Sequence, residues 1–162
     1  MSLNKFYKGF LVLLALGFGL NYWIKHTKVP DLPFFQNKLL DLKSKPVSTE
    51  AWRNKYVLVS YFQSWCGDCA RELPSIQALE DKIGADNIKI VLISDEPFSK
   101  IKKFKNHFRS ELPFYQSVES FNEIGIRVFP TTYLIGPNGK LLLSKLEGFD
   151  WSSQEVLHLI KQ

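Results

Sequence analysis

Two uninterrupted apolar runs constrain the fold of this chain more than any other feature. Residues 56–62 and 88–94 are rich in β-branched and aromatic side chains and show no alternation of apolar and polar positions. Such runs are typical of strands that are covered on both faces. Because the segment between them has a helical pattern, we expect the two strands to pair in parallel through a right-handed crossover.

Two helices are predicted around these strands. The first places its apolar residues on one side and ends at Gly84; these residues are Ala70, Leu73, Ile76, Leu79 and Ile83. Residues 97–108 predict the second helix, with Ile101, Phe104 and Phe108 facing inward.

The end of the chain follows a different pattern. Residues 131–135 and 140–144 flank the dipeptide Asn138-Gly139, which is a strong signal for a β-hairpin. Residues 151–161 predict a closing amphipathic helix, and residues 40–47 predict a short edge hairpin. Together these elements predict an α/β fold, a three-layer sandwich with a mixed central sheet flanked by helices.

The N-terminal segment has the character of a membrane anchor. Residues 1–28 hold four lysines and no acidic side chain, and the apolar stretch 9–24 is bracketed by Lys8 and Lys25. As a helix this stretch would span roughly 24 Å, a little less than the ~30 Å hydrocarbon core, and the flanking lysines can snorkel. The bulky residues 21–24 offer no Ala-x-Ala site, which disfavours the alternative of a cleaved signal peptide. A buried helix of a soluble protein explains neither the all-round apolarity nor the lysines.

The location of the charge bears on the partners. Subtracting the four lysines of residues 1–28 from the net charge of +5 leaves +1 for residues 29–162. This removes the basis for a nucleic-acid partner. We predict a signal anchor over residues 1–28, a linker with an N-terminal hairpin over 29–54, and a globular domain over 55–162.

The only two cysteines lie together where the first buried strand turns into a helix. Cys66 and Cys69 are three residues apart, so both sulfur atoms lie on one side of a helical turn. Cys66 falls near the helix N-terminus, where free N–H groups and the macrodipole stabilise a thiolate, and Cys69 is shielded one turn later. This arrangement suits an attacking thiol followed by a resolving thiol.

The cysteine pair has two other interpretations. A structural disulfide closing so small a ring removes little chain entropy, roughly 2 kcal/mol. A metal site lacks an evident third ligand, because the three histidines are distant from the pair in sequence; they are His26, His107 and His158. A Cys-x-x-Cys pair at a strand-to-helix turn in a βαβ context indicates redox chemistry.

The motifs around the cysteines resemble a known superfamily. Residues 65–69 read Trp-Cys-Gly-Asp-Cys, residues 69–74 continue Cys-Ala-Arg-Glu-Leu-Pro, and residues 129–135 read Phe-Pro-Thr-Thr-Tyr-Leu-Ile. In these motifs the chain resembles the thioredoxin superfamily. Within that superfamily it is most similar to the TlpA/ResA-like thiol–disulfide oxidoreductases. The resemblance implies a thioredoxin-like fold and an anchored protein whose catalytic domain lies outside the cytoplasm.

Four catalytic residues are carried over from the resemblance by position. Cys66 would be the nucleophile and Cys69 the resolving thiol. Pro130 would be the cis-proline that shapes the substrate groove. Glu72 would be a carboxylate that shuttles a proton to or from Cys69, although a solvated helix glutamate is the plain alternative.

Several neighbouring positions are expected to modulate the site. Trp65 and Gly67 complete the cysteine motif, and Phe129 is bulky where partners dock. Asp68 places a carboxylate near Cys66, which opposes the thiolate and makes the dithiol a better reductant. Ser60 stands where thioredoxin has a buried aspartate. Because a serine does not titrate usefully, Glu72 or water would have to transfer the proton.

These features predict an enzyme that reduces disulfides in exported proteins and is itself re-reduced by a membrane thiol donor. No flavin or nicotinamide motif is present, so the redox disulfide is the only expected redox group. Net oxidation or isomerisation is an alternative, and so is copper or apoprotein delivery without turnover. A thiol peroxidase is disfavoured, because Gln63 stands where peroxiredoxins have an activating threonine.

Two charged groups of side chains remain outside this scheme. Asp95 and Glu96 follow the second strand, where a site or a plain loop would be equally natural. Four lysines crowd the outer face of the second helix and predict a solvated face, or docking to lipid headgroups or an acidic partner; they are Lys100, Lys102, Lys103 and Lys105.

Overall fold

The computed structural model describes residues 34–160, which form one mixed sheet of seven strands. In chain order the strands are β1 (Leu39–Asp41), β2 (Pro46–Val47), β3 (Tyr56–Tyr61), β4 (Ile88–Ser94), β5 (Phe114–Ser117), β6 (Thr131–Ile135) and β7 (Leu141–Lys145). Across the sheet they are ordered β2-β1-β5-β4-β3-β6-β7. Strands β3, β4 and β5 run parallel, and the outer pairs are antiparallel. The predicted crossover, edge hairpin and C-terminal hairpin are confirmed.

The helices of the described residues are α1 (Gly67–Ile83), α2 (Phe98–His107) and α3 (Gln154–Ile160). Helix α1 connects the parallel strands β3 and β4, and it ends at Gly84 as expected. Gly84 has a φ angle of 86°, a backbone conformation that residues with a Cβ atom rarely adopt. Helix α1 therefore ends where a single glycine can adopt this conformation.

Alternate residues of the central strands enter two separate cores. On β3, Leu58 faces the core that holds the buried residues of all three helices, whereas Val59 and Tyr61 face the opposite core. Two 3₁₀ turns, Phe34–Gln36 and Thr49–Trp52, cover that opposite face together with residues 118–130. The fold therefore has three layers, but in the described residues α-helices form only one of the outer two.

Three local features differ from the prediction. Strand β5 was not predicted, because it is only four residues long and includes the polar Gln116. Phe108 was expected to face inward but is 43% exposed, since α2 ends at the preceding residue and Phe108 leaves the helical face. The closing helix begins at Gln154 rather than at Trp151, because the intervening residues form a turn in which Asp150 accepts a hydrogen bond from Ser152 N at 2.9 Å.

The predicted anchor lies outside the described residues. Over residues 34–160 no helix is both long enough and apolar enough to cross a membrane. The anchor over residues 1–28 stays a prediction.

Candidate active site

The two cysteines lie at the N-terminus of α1, directly after the loop that follows β3. Cys66 is the N-cap residue, with an extended backbone (φ −83°, ψ 109°), and its Sγ accepts a hydrogen bond from Cys69 N at 3.1 Å. The two residues form a disulfide with an S–S distance of 2.08 Å. Cys66 is 6% exposed and Cys69 is 3% exposed, so little of either residue reaches the surface. On reduction, the same N–H group and the helix dipole favour a thiolate on Cys66.

Two aromatic side chains contact each other beside the cysteine motif. Trp65 is 71% exposed, and its ring meets that of Phe129 edge to face at 5.9 Å. The Phe129–Pro130 peptide bond is cis, and Pro130 is buried and directly precedes β6. The structure therefore brings Trp65, Phe129 and Pro130 to the end of the sheet that carries the cysteines.

Glu72 lies one helical turn after Cys69 and is buried, with 2% exposure. Its Oε1 accepts hydrogen bonds from Phe149 N at 3.0 Å and from Trp151 Nε1 at 3.1 Å. Burial raises the pKa of Glu72 to about 7, and the hydrogen bonds from Trp151, Phe149 and Thr132 counteract part of that rise. The solvated-glutamate alternative is therefore wrong. A carboxyl with a pKa near neutrality can both accept and return a proton.

Two hydroxyl groups extend from this carboxyl into the sheet. Thr132 Oγ1 lies 3.3 Å from Glu72 Oε2 and 2.9 Å from Ser60 Oγ, and all three residues are buried. Ser60 does not titrate, as predicted from the sequence, but the structure links it to Glu72 through Thr132. Because each hydroxyl both donates and accepts, the pair can satisfy Glu72 in either protonation state.

Asp68 and Gly67 form the first turn of α1. The carboxylate of Asp68 makes an ion pair with the guanidinium of Arg71, and both side chains are largely exposed. From the sequence, the Asp68 carboxylate is expected to oppose the Cys66 thiolate. Its partner Arg71 offsets that charge, so the effect on the thiolate is smaller than the sequence suggested.

The acidic residues after β4 hold the loop that precedes the cysteines. Glu96 accepts hydrogen bonds from Ser64 N at 2.6 Å and Ser64 Oγ at 2.9 Å. Asp95 accepts from Gln63 Nε2 at 2.7 Å and from Phe121 N at 2.8 Å. Glu96 therefore holds the backbone of Ser64, two residues before Cys66, whereas Asp95 holds the Gln63 side chain and the backbone of Phe121.

Several residues of the site were missed from the sequence. Phe149, Trp151 and Thr132 lie 60 to 79 positions from Glu72 along the chain, so no local pattern connects them. The proline and the cysteines were found because their motifs are contiguous. Among residues 34–160, no group of three or more His, Cys, Asp or Glu side chains is placed to hold a metal ion.

A disulfide at a helix N-terminus, on a mixed sheet of this order and beside a cis-proline, defines a thioredoxin-like thiol–disulfide oxidoreductase. Comparisons with known proteins agree. The chain belongs to the AhpC/TSA family, whose pattern it matches over residues 27–143. It is 29% identical over 139 residues to the thiol-disulfide oxidoreductase ResA of Geobacillus thermodenitrificans. The aligned residues cover 81% of this chain and 79% of that protein.

Solved structures show the same fold. A thiol:disulfide interchange protein from Chlorobium tepidum, assigned as DsbE, superposes with a TM-score of 0.67 at 21% identity, over 78% of this chain and 94% of that one. A secreted disulfide oxidoreductase of Mycobacterium tuberculosis, homologous to E. coli DsbE, gives 0.62 at 14% identity, over 78% of this chain and 96% of that one. The protein is thus ResA-like in sequence and thioredoxin-like in fold.

Proposed function

We propose that the protein reduces disulfides in exported proteins, with its catalytic domain outside the cytoplasm and residues 1–28 as its anchor. The observation that carries this proposal is the Cys66–Cys69 pair at the N-terminus of α1, with the buried carboxyl of Glu72 one turn further on. The relative named ResA and the secreted oxidoreductase support the reaction type and the compartment.

The reaction begins with the Cys66 thiolate. It attacks one sulfur of the client disulfide, so that a mixed disulfide forms and the other client sulfur leaves as a thiolate. The N–H of Cys69, which already faces Cys66 Sγ, stabilises the attacking charge. Pro130 and Phe129 line the end of the sheet where the client chain would lie.

The second step uses Cys69 and Glu72. Glu72, with its pKa of about 7, accepts the proton of the Cys69 thiol. The Cys69 thiolate then attacks Cys66 Sγ and releases the second client sulfur, which takes up a proton. The first client thiolate also takes up a proton from solvent, and Glu72 returns its own proton to solvent. The client has then gained two electrons and two protons, and the protein has become the disulfide described above. A surface cavity of about 550 Å³, lined by Glu72 and Phe149 among others, gives the carboxyl a route for proton exchange with solvent.

The disulfide must then be reduced again by another dithiol protein, which we propose is a membrane thiol donor. The direction of net electron flow depends on the potential of the Cys66/Cys69 couple. A value below about −220 mV supports a reductant, whereas one near −120 mV supports an oxidant.

The test is to trap the client. With Cys69 replaced by serine, Cys66 should hold clients as mixed disulfides that a reducing agent releases. The matched control, Cys66→Ser, should trap none. Insulin reduction at the wild-type rate by Cys66→Ser would overturn the scheme, and a measured potential near −120 mV would reverse the proposed direction.

A further inference from the structure

We propose that a groove between Trp65 and helix α2 is a second binding site for the client, and that it takes an acidic segment carrying an aromatic or large aliphatic side chain. This inference rests on the proposed function, since the occupant is the polypeptide whose disulfide is exchanged. The groove lies on the α2 side of Trp65, and its lining residues do not include Phe129 or Pro130.

Apolar side chains form the walls and the floor of this groove, which has a volume of about 440 Å³. Trp65 and Phe108 line it, with 71% and 43% of their surfaces exposed. They are two of the four large hydrophobic residues exposed in the described part of the chain. Phe104 is buried beneath them, and its ring centroid lies 4.9 Å from that of Phe108. Exposed aromatic rings around a concave surface are suited to a large apolar side chain.

The ionisable side chains that line the groove are all basic. Lys100, Lys103 and His107 line it, and no acidic residue does. Lys100 is partly neutralised by Glu96, at 3.2 Å. The Lys103 side chain is exposed and has no hydrogen-bond or ion-pair partner among residues 34–160. This arrangement leaves an uncompensated positive charge at the edge of an aromatic groove, which complements a carboxylate on the occupant.

The groove is held at a fixed position relative to the nucleophile. Trp65 immediately precedes Cys66, and Ser64, which also lines the groove, is bound through its N and Oγ by Glu96. An apolar side chain that packs on the groove side of Trp65 therefore contacts the residue that directly precedes the reacting cysteine in the chain. The site would favour clients in which such a residue and carboxylates lie near the reactive cysteine.

The positions of the other two lysines favour a polypeptide over a lipid surface. Lys105 Nζ donates a hydrogen bond to Leu112 O at 2.9 Å, and Lys102 Nζ lies over the ring of Phe98 at 5.9 Å. Helix α2 therefore does not offer four free lysines to one flat layer of headgroups. The free cation borders a concave surface instead.

The test compares client peptides of opposite charge. Reduced full-length protein in detergent is mixed with disulfide-linked peptide dimers that share a phenylalanine beside the cysteine and carry either glutamates or lysines. Hydroxyethyl disulfide serves as a small uncharged reference. We expect the glutamate peptide to react about fivefold faster than the lysine peptide at low ionic strength, with the difference shrinking as salt is added.

Two variants with the same change of net charge separate the groove from the general field of the protein. Lys103→Glu should abolish or reverse the preference for the glutamate peptide, expressed relative to hydroxyethyl disulfide. Lys102→Glu, on the same helix but outside the groove, should retain it. Phe108→Ser should slow both peptides relative to hydroxyethyl disulfide, because it removes an apolar wall.

The outcomes distinguish the two proposals. If the wild-type protein does not reduce hydroxyethyl disulfide, the proposed function fails. If it does, but both peptides react equally, or both lysine variants behave alike, the function stands and the groove inference is overturned. The inference is also overturned if Lys103→Glu acts only after reconstitution into vesicles containing phosphatidylglycerol and not into pure phosphatidylcholine, since the basic face then docks on lipid.

Discussion

The indole Nε1 of Trp151 donates a hydrogen bond to Oε1 of Glu72 at 3.1 Å, which ties the end of the chain to the helix that carries both cysteines. Both residues are buried. A segment far from the cysteine motif in sequence therefore tunes the pKa of Glu72, the proton acceptor that we propose.

Replacing Trp151 with phenylalanine should move the pH dependence of the second chemical step. The Trp151 bond lowers the pKa of Glu72, so its loss raises that pKa further above its ordinary range. We expect Cys69 to resolve mixed disulfides more slowly at neutral pH, with the profile displaced to higher pH. Rapid-quench measurement of resolution against pH tests this. An unchanged profile would contradict it, and Glu72→Gln serves as the control without a titrating group.

The stability of the oxidised protein should fall as the pH rises, through Glu72. Because its folded pKa is about 7 against an ordinary 4.5, the folded state holds the proton more tightly between these pH values. The stabilising contribution is present below about 4.5 and lost by about 7, which amounts to about 3 kcal/mol.

Glu72→Gln should remove this dependence, because the amide can accept from Phe149 and Trp151 and donate to Thr132. Denaturant unfolding of both proteins across that range, with the disulfide intact, gives the difference directly. Parallel curves for wild type and Glu72→Gln would show that Glu72 titrates as an ordinary carboxyl.

Loss of the Glu96 side chain should destabilise the loop before the cysteines. In Glu96→Ala the N–H and hydroxyl of Ser64 lose their acceptor, at a cost of about 2–3 kcal/mol. Glu111→Ala, at an exposed glutamate, should stay within about 0.5 kcal/mol of wild type. Urea unfolding of the oxidised proteins checks both, and equal stabilities would refute the positioning role of Glu96.

Asp68 and Arg71 should act on the redox potential in opposite directions. Asp68→Asn stabilises the Cys66 thiolate and hence the reduced form, so the couple becomes more oxidising by about 10–20 mV. Arg71→Gln leaves Asp68 unpaired and should make the couple more reducing by a similar amount. Equilibration with glutathione buffers measures both, and shifts of the same sign would exclude the charge mechanism.

The features that the sequence predicted are those carried by contiguous residues. The unalternating runs specified β3 and β4, Asn138-Gly139 specified the hairpin of β6 and β7, and the spacing of Cys66 and Cys69 specified the redox pair. Strand β5 was not predicted from the sequence, because four residues carry too little periodicity.

The hydrogen-bond partners that surround the site were not predicted for a different reason. Trp151 and Glu72 are 79 positions apart in the chain. They meet only because α3 and the turn before it pack against α1. The loop carboxylates Asp95 and Glu96 were noticed, but their partners at Gln63 and Ser64 lie 32 positions earlier. Periodicity encodes which face of an element is buried, not which distant group meets it there.

The tie between Glu72 and the C-terminal segment also fixes an order of assembly. A chain made from its N-terminus acquires Cys66 and Cys69 long before Phe149 and Trp151 exist. Until those residues dock, Glu72 lacks two of its three donors and the cover that keeps water away. The dithiol is thus synthesised early, but the hydrogen bonds of Glu72, the proton acceptor that we propose, are completed last, so a truncated or still-emerging chain carries the cysteines without the finished surroundings of Glu72.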